Sequence, residues 1–394
     1  SFLARRMTGV SVMDTSTAMF YTPFYDFRSD RWLDEWIREA GLPRLLFPPV
    51  TEPSREAGRL ERRAARELDL PEGIPVLVGT IDTYAECVGS NVERPGEALL
   101  VYGSSMTLIG MVEELRAHES LWCGRHYRRG TYSLIGAMAT SGALIEWFRT
   151  LLCQAGSGSE TTGELEARIN PEASKVEPGC EGLLALPYFL GERTLIEDPY
   201  ARGVLVGLTL KHGTAHVYRA LLEAVAFAAR HNVEEFRRLG FPLTGVVATG
   251  GGTRNRLWVQ IISDVTGLEQ TVSHDGHAVL RGNARMAAEA AGVNVGDTRE
   301  AASEEVTATE TETPESTSAW SIGGTRVTPD PDATGRYDRL YPVFRELYSA
   351  TAPIVHRLGG AAHETGAGGV SGEVDTDRTP PTRADRKPGK NTQN

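Results

Sequence analysis

Three stretches carry residue types at spacings that could do chemistry. Residues 75–78 are an apolar run entering Gly79-Thr80-Ile81-Asp82. Residues 97–102 are a second, entering Gly103-Ser104-Ser105. Residues 245–249 are a third, entering Gly250-Gly251-Gly252-Thr253-Arg254-Asn255. Short β-branched runs stopped by Gly and Ser read as buried strands entering tight loops. A carboxylate where a strand meets a glycine turn is well placed to act on a substrate. A Gly-Ser-Ser turn can offer backbone N–H groups and hydroxyls to phosphate oxygens. Successive glycines let a backbone approach a flat or anionic ligand, and the helix that follows presents its N-terminus to it. Each stretch also has a plainer reading. Asp82 would cap a helix starting near Thr83, residues 103–105 would be a hairpin turn, and the glycines would serve close helix–strand packing. The plainer reading is the stronger for any one loop; the three in succession weaken it. The glycine cluster is neither a Walker A loop, having no Lys after it, nor a Rossmann fingerprint, lacking the G-x-G-x-x-G spacing.

These loops need an α/β frame. From Gly96 to Gly292 strand-like and helix-like patterns alternate. Residues 133–153 read as strand, turn and amphipathic helix, residues 214–239 as a long amphipathic helix, and residues 254–267 and 282–291 as two more. The first 74 residues read as helix and loop, with Trp32, Trp36 and Ile37 at helical spacing and a charged helix over residues 56–68. Gly156-Ser157-Gly158-Ser159 opens a solvated linker. Residues 300–318 are acidic and poor in apolar groups, a disordered or loosely held insertion, with order resuming near Asp330. Tyr341, Phe344, Leu347 and Tyr348 predict a closing helix over residues 337–358, and residues 359–394 read as a disordered tail.

Composition narrows the class. Of 394 residues, 40% are hydrophobic and 24% charged, as in a globular chain. A net charge of −11 argues against nucleic acid as the natural partner. No apolar run of about 18 residues suggests a membrane span. Cys87, Cys123, Cys153 and Cys180 form no C-x-x-C pair, which disfavours zinc and suits reduced thiols in a cytoplasm. His274, Asp275 and His277 stand close together, but such a polar loop arises easily by chance and no metal ligands are assigned.

The order GxxD, Gly-Ser-Ser, Gly-Glu-Arg-Thr and Gly-Gly-Gly-x-x-Asn resembles the FGGY family of carbohydrate kinases. Residues 183–210, LLALPYFLGERTLIEDPYARGVLVGLTL, are the most specific stretch and look xylulokinase-like. The resemblance implies an α/β, two-lobed actin-like (ribonuclease H-like) ATPase fold. Residues 1–93 would be a remnant of the N-terminal, sugar-binding domain. Residues 94–358 would be the C-terminal nucleotide-binding domain with an acidic insertion at about 297–325. It implies ATP-dependent phosphorylation of a sugar hydroxyl, a ketopentose such as xylulose, with Asp82 as general base. Asp82 and Thr83 would meet the substrate. Gly103, Ser104 and Ser105 would hold the terminal phosphates, Gly250, Gly251, Gly252 and Asn255 the rest of the nucleotide, and Mg²⁺ would ride mainly on phosphate and water oxygens. Glu192, Arg193, Asp198 and Arg202 would form buried ion pairs. A homodimer is left open.

Three departures follow. The family's opening Asp-x-Gly-Thr hairpin has no counterpart here, so the N-terminal lobe is expected to be incomplete. Trp32, Trp36, Phe24 and Phe47 would then lie partly exposed, and catalysis by these residues alone would be negligible. Thr83 stands where xylulokinases carry Asn or Gln, which leaves the sugar open. His277 and Arg281 stand where Glu and Ala-type residues are usual. The alternative is a non-catalytic nucleotide-binding or interaction protein descended from such a kinase. An actin- or chaperone-type ATPase is disfavoured by residues 191–194, Gly-Glu-Arg-Thr.

Overall fold

The computed structural model describes residues 2–115, 118–155, 161–274, 276–293, 295 and 323–366. The first part of the chain gives α1 (Phe2–Thr8), β1 (Met13–Asp14), α2 (Thr15–Ala18), β2 (Tyr25–Asp26), β3 (Arg31–Trp32), α3 (Asp34–Glu39), β4 (Val50–Thr51), β5 (Glu56–Arg59), α4 (Arg62–Leu68) and β6 (Pro75–Leu77). Its strands pair only two at a time: β1 parallel to β4, β2 antiparallel to β3, and β5 antiparallel to β6.

An aromatic knot replaces a sheet as the core of this small lobe. Trp32 packs edge-on to Tyr25 and Phe47, each at 5.1 Å between ring centroids. Its indole N–H donates to the Pro48 carbonyl at 2.7 Å. Trp32 and Phe47 are therefore buried, against the expectation of partial exposure, while Phe24 is partly exposed and Trp36 about half exposed, as expected. The helix expected over residues 56–68 is also corrected. Gly58 disfavours helix, and residues 56–59 pair with β6 instead. Helix begins only at Arg62. Paired on one side only, β6 is partly exposed rather than buried.

Next come α5 (Asp82–Gly89), β7 (Glu97–Tyr102), β8 (Met106–Val112), β9 (Trp122–Arg125), β10 (Tyr132–Met138), α6 (Gly142–Ala155), α7 (Thr162–Lys175), β11 (Leu184–Leu186), β12 (Val204–Val206) and α8 (Thr214–Arg238). The described chain continues with β13 (Gly245–Thr249), α9 (Arg256–Thr266), β14 (Gln270–Ser273), α10 (Ala278–Ala290), β15 (Gly324–Val327) and α11 (Pro331–Gly366). Seven strands form one sheet in the order β15-β14-β13-β7-β8-β10-β9. β13 runs parallel to β7 and β14, and the remaining pairs are antiparallel.

Strand alternation sends side chains to two helical layers. Leu99, Ile109 and Ile135 meet Tyr84, Val88 and Met286 of α5 and α10. Ala98, Leu100, Leu108 and Leu134 meet α8 and α9 through Phe227, Phe236 and Ile262. α5 and α10 cross backbone to backbone: a Cβ on Gly89 would lie 1.8 Å from the Ala278 carbonyl, and one on Gly282 would lie 1.8 Å from that of Ala85. Only glycine permits that approach.

β15 starts at Gly324, ahead of the expected Asp330. α11 continues to Gly366, so residues 359–366 are helical rather than part of a disordered tail. The linker at 156–159, the acidic residues 300–318 and the chain after Gly366 lie outside the described residues.

Candidate active site

Asp82 is the first residue of α5, with Ile81 in the cap position. It is exposed, and one carboxylate oxygen accepts the Thr83 N–H at 2.8 Å. It is thus not the helix cap, and its other oxygen is open to a ligand. One turn on, the half-buried Glu86 accepts from the Thr249 hydroxyl. Burial raises the Glu86 carboxyl above the usual range and the nearby Asp82 adds to this, while the Thr249 bond opposes it. Thr249 ends β13 in register with Val101 of β7. Glu86 therefore ties the helix that bears Asp82 to the strand end that launches the glycine cluster.

The Gly103–Ser105 turn is stitched to the start of α6. Gly142 N–H donates to the Gly103 carbonyl at 3.0 Å, and Ser141 and Ala143 N–H donate to Ser104 at 2.9 and 3.1 Å. A Cβ on Gly142 would stand 2.6 Å from the Gly103 oxygen. Gly250 has φ +94°, and a Cβ there would meet the Tyr102 backbone at 2.7–3.1 Å. Both contacts hold the turn, the glycine loop and the α6 N-terminus around one cleft of about 650 Å³.

That cleft gathers Gly103, Ser104, Gly251, Gly252 and Asn255. Ser105 and Gly250 shape it from behind, and Asp82 and Thr83 stand outside it at the start of α5. Asn255 has its side chain already engaged: its oxygen accepts the Trp258 N–H at 3.1 Å, and its amide donates to Tyr218 at 3.0 Å and Asn170 at 3.3 Å. It caps α9 and forms wall rather than offering a free donor. Sequence reasoning missed Ile145, Glu146, Arg149, Glu166 and Arg254, which also line the cleft. Arg149 bridges Glu146 and Glu166; the first is three residues away on α6, but the second lies on α7, and no sequence spacing announces it.

Glu192, Arg193, Asp198 and Arg202 do not pair with one another. Glu192 is buried; Oε1 accepts from the Ala139 and Arg193 N–H groups at 2.8 and 2.7 Å, and Oε2 has no partner. Burial lifts its carboxyl to about 7, against the pull of those two bonds. Asp198 binds the Tyr348 hydroxyl at 2.8 Å and His356 at 2.6 Å. Burial pushes its carboxyl up, but these bonds hold it below the ordinary range. Arg202 donates to backbone carbonyls. Among the described residues no three His, Cys, Asp or Glu side chains converge as metal ligands; Asp275 lies outside them.

A cleft at the carboxyl ends of the adjacent parallel strands β7 and β13, in a sheet covered by helices on both faces and preceded in the chain by a small lobe, marks a two-lobed actin-like ATPase fold. Residues 1–89 match the N-terminal domain of the FGGY family of carbohydrate kinases, and residues 98–291 match its C-terminal domain. A ribulokinase of Mycolicibacterium smegmatis is 31% identical over 322 residues, 79% of this chain and 54% of the relative. A xylulose kinase of Bacillus subtilis is 27% identical over 265 residues, 66% of this chain and 51% of the relative. The crystal structure of xylulose kinase from Rhodospirillum rubrum superposes with a TM-score of 0.75 at 30% identity, covering 90% of this chain and 67% of that one. The chain belongs to the FGGY family of carbohydrate kinases, and it spans about half the length of the curated relatives it matches.

Proposed function

We propose that this chain serves ATP-dependent phosphorylation of a ketopentose, xylulose or ribulose, with Asp82 as general base. The observation that carries the reading is the tether from α5 to the glycine loop, which holds an exposed carboxylate beside a glycine-lined cleft. The sugar hydroxyl attacks the terminal phosphorus, the bond from that phosphorus to the bridging oxygen breaks, and ADP leaves. Asp82 accepts the hydroxyl proton late, once the phosphoryl group has largely moved. The cleft fits a nucleotide: side chains at Gly142 or Gly250 would fill the space between its walls, and the amides of Ser104, Ser105, Gly251 and Gly252 would face phosphate charge. Mg²⁺ would arrive on the phosphates and neutralise charge there. Free thiols at Cys87, Cys123, Cys153 and Cys180 support a reducing compartment such as the cytoplasm.

The test is sugar-stimulated ADP release across ketopentoses, polyols and hexoses, with ADP binding measured in parallel. Turnover selective for a ketopentose is expected. ADP binding with no turnover on any of these acceptors, in this chain and in longer forms of the protein alike, would replace the reading with a non-catalytic nucleotide-binding role.

A further inference from the structure

A second cavity, of about 620 Å³, lies where the small lobe meets the large sheet. Glu52 and Arg55, just after β4, line it from the small lobe, and Tyr127, Arg128 and Arg129, in the β9–β10 turn, line it from the large one. Glu289, at the end of α10, completes the wall. Arg128 is already committed to Glu93 and Glu289. Arg55 and Arg129 are not: among the described residues neither side chain has a partner, and the Glu52 carboxylate forms no ion pair. Tyr127 is only 5% exposed, and its hydroxyl has no hydrogen-bond partner among the described residues either. We propose that this cavity is an effector site for a phosphorylated sugar, with the phosphate held between Arg55 and Arg129 and the sugar hydroxyls received by Glu52.

The unpaired groups specify the ligand. Two guanidinium groups present forked donors and suit a phosphate dianion. An ionised carboxylate only accepts hydrogen bonds, so Glu52 calls for hydroxyl donors on the same molecule. The Tyr127 hydroxyl is free to donate to the phosphate. The volume lies in the range of small-molecule sites. Both walls are held by backbone bonds. The turn over residues 126–131 is closed by the His126 N–H on the Thr131 carbonyl at 3.1 Å and the Thr131 hydroxyl on the Arg128 carbonyl at 2.7 Å. In the small lobe, the Val78 N–H donates to the Arg55 carbonyl at 2.9 Å, and the Gly79 N–H donates to the Pro53 carbonyl at 3.0 Å. Val78 and Gly79 open the loop that ends at Asp82. A dianion that draws Arg55 toward Arg129 therefore braces that loop. It does so from outside the nucleotide cleft, because no residue lines both cavities.

The experiment titrates residues 1–394 by calorimetry with ribose 5-phosphate, ribose, inorganic phosphate and ADP. Ribose 5-phosphate should bind. Arg55→Ala and Arg129→Ala, both at exposed positions, should each weaken it about tenfold or more, the effect of losing a hydrogen bond to a charged group. ADP should bind both variants as it binds the unmodified chain. Inorganic phosphate should bind at least about threefold weaker than ribose 5-phosphate, and Glu52→Gln should narrow that gap. Hydrogen exchange at the Val78 and Gly79 amides should slow when ribose 5-phosphate is added to the unmodified chain, and not when it is added to Arg55→Ala. No binding of ribose 5-phosphate, or binding that both arginine variants leave unchanged, overturns the inference. Ribose or inorganic phosphate binding as tightly as ribose 5-phosphate overturns the assignment to a phosphorylated sugar. ADP affinity that falls in either arginine variant would make the cavity part of the nucleotide site and overturn the inference as well. Unchanged exchange at Val78 and Gly79 would overturn the link to the Asp82 loop.

Discussion

The small lobe and the large sheet are stabilised in different ways. Residues 13–77 carry strands of two to four residues, joined only in pairs, split between an aromatic knot of Tyr25, Trp32 and Phe47 and a separate small cluster of Leu60, Ala64 and Ala65. Residues 97–344 carry a seven-stranded sheet covered on both faces by helices. Isolated two-stranded pairs are marginal in water without a packed neighbour, whereas a sheet closed on both faces makes its own core. Arg125 of β9 reaches across to the Phe27 carbonyl and Asp30, and α5 joins the two through the chain itself. It matches the family's N-terminal domain yet packs on the large sheet, against Leu99, Ile109 and α10. The proposed base thus starts a helix anchored to the large sheet.

The largest effect tests that anchoring. Asp82→Asn should lower turnover by about two to four orders of magnitude, the range for a lost general base. The fold should persist, because an Asn oxygen at this position can still accept the Thr83 N–H. Steady-state rates beside a thermal melt would check it. Turnover close to that of the unmodified protein would show that the chemistry is not seated on α5.

A pair of core truncations tests the contrast directly. Phe227 stacks on Phe344 at 5.2 Å between α8 and α11, and Phe227→Ala should destabilise the large lobe by about 3–5 kcal/mol. Trp32→Ala removes a similar volume from the knot, but amide exchange should speed up only in residues 13–77. Faster exchange in β7, β8 and β13 of Trp32→Ala would make the two lobes one cooperative unit.

Legibility in the sequence follows the same division. The large lobe was readable because its strands are continuous apolar runs ending in glycine and its helices keep a 3.6-residue period. In the small lobe a two-residue strand has no period to detect, Gly58 sits inside what looked like a charged helix, and the mutual burial of Trp32 and Phe47 depends on the fold. At the site, Asp82 and the three glycine loops were visible from residue type alone. The bridges Arg149–Glu166 and Glu86–Thr249 were not, because each joins residues far apart in sequence. Glu192, Arg193, Asp198 and Arg202 looked like an ion-paired set because opposite charges lie close in sequence, but backbone amides and α11 took their place as partners.

Glu192 makes a pH test of the large lobe. Its carboxyl is raised from 4.5 to about 7 by burial. An acid whose folded pKa is raised stabilises the fold fully below its unfolded value, and that contribution is lost as pH climbs through the folded value. Between about pH 4.5 and 7 the loss amounts to roughly 3 kcal/mol. Glu192→Gln, which keeps an acceptor for the Ala139 and Arg193 amides, should flatten the fall. Urea melts at pH 5 and pH 8 would read it; equal pH slopes in both proteins would show that Glu192 is ionised at little cost where it sits.

The smallest effect concerns the seam between the two family domains. The Thr249 hydroxyl donates to the Glu86 carboxylate, and this bond joins α5 to β13. Thr249 is buried and Glu86 half-buried, so removing either partner strands a polar group from which water is partly excluded. Glu86→Ala and Thr249→Val should each cost about 1–2 kcal/mol in thermal or urea unfolding. The double variant should cost less than the sum by about 0.5–1.5 kcal/mol, because the bond can be lost only once. Glu86→Gln should be milder than Glu86→Ala, since the amide oxygen still accepts and the charge beside Asp82 is gone. Strict additivity of the two single costs would mean that the bond adds nothing to the seam. The position of Asp82 would then depend on the glycine crossing of α5 and α10 and on the packing of Tyr84 and Val88 against the sheet.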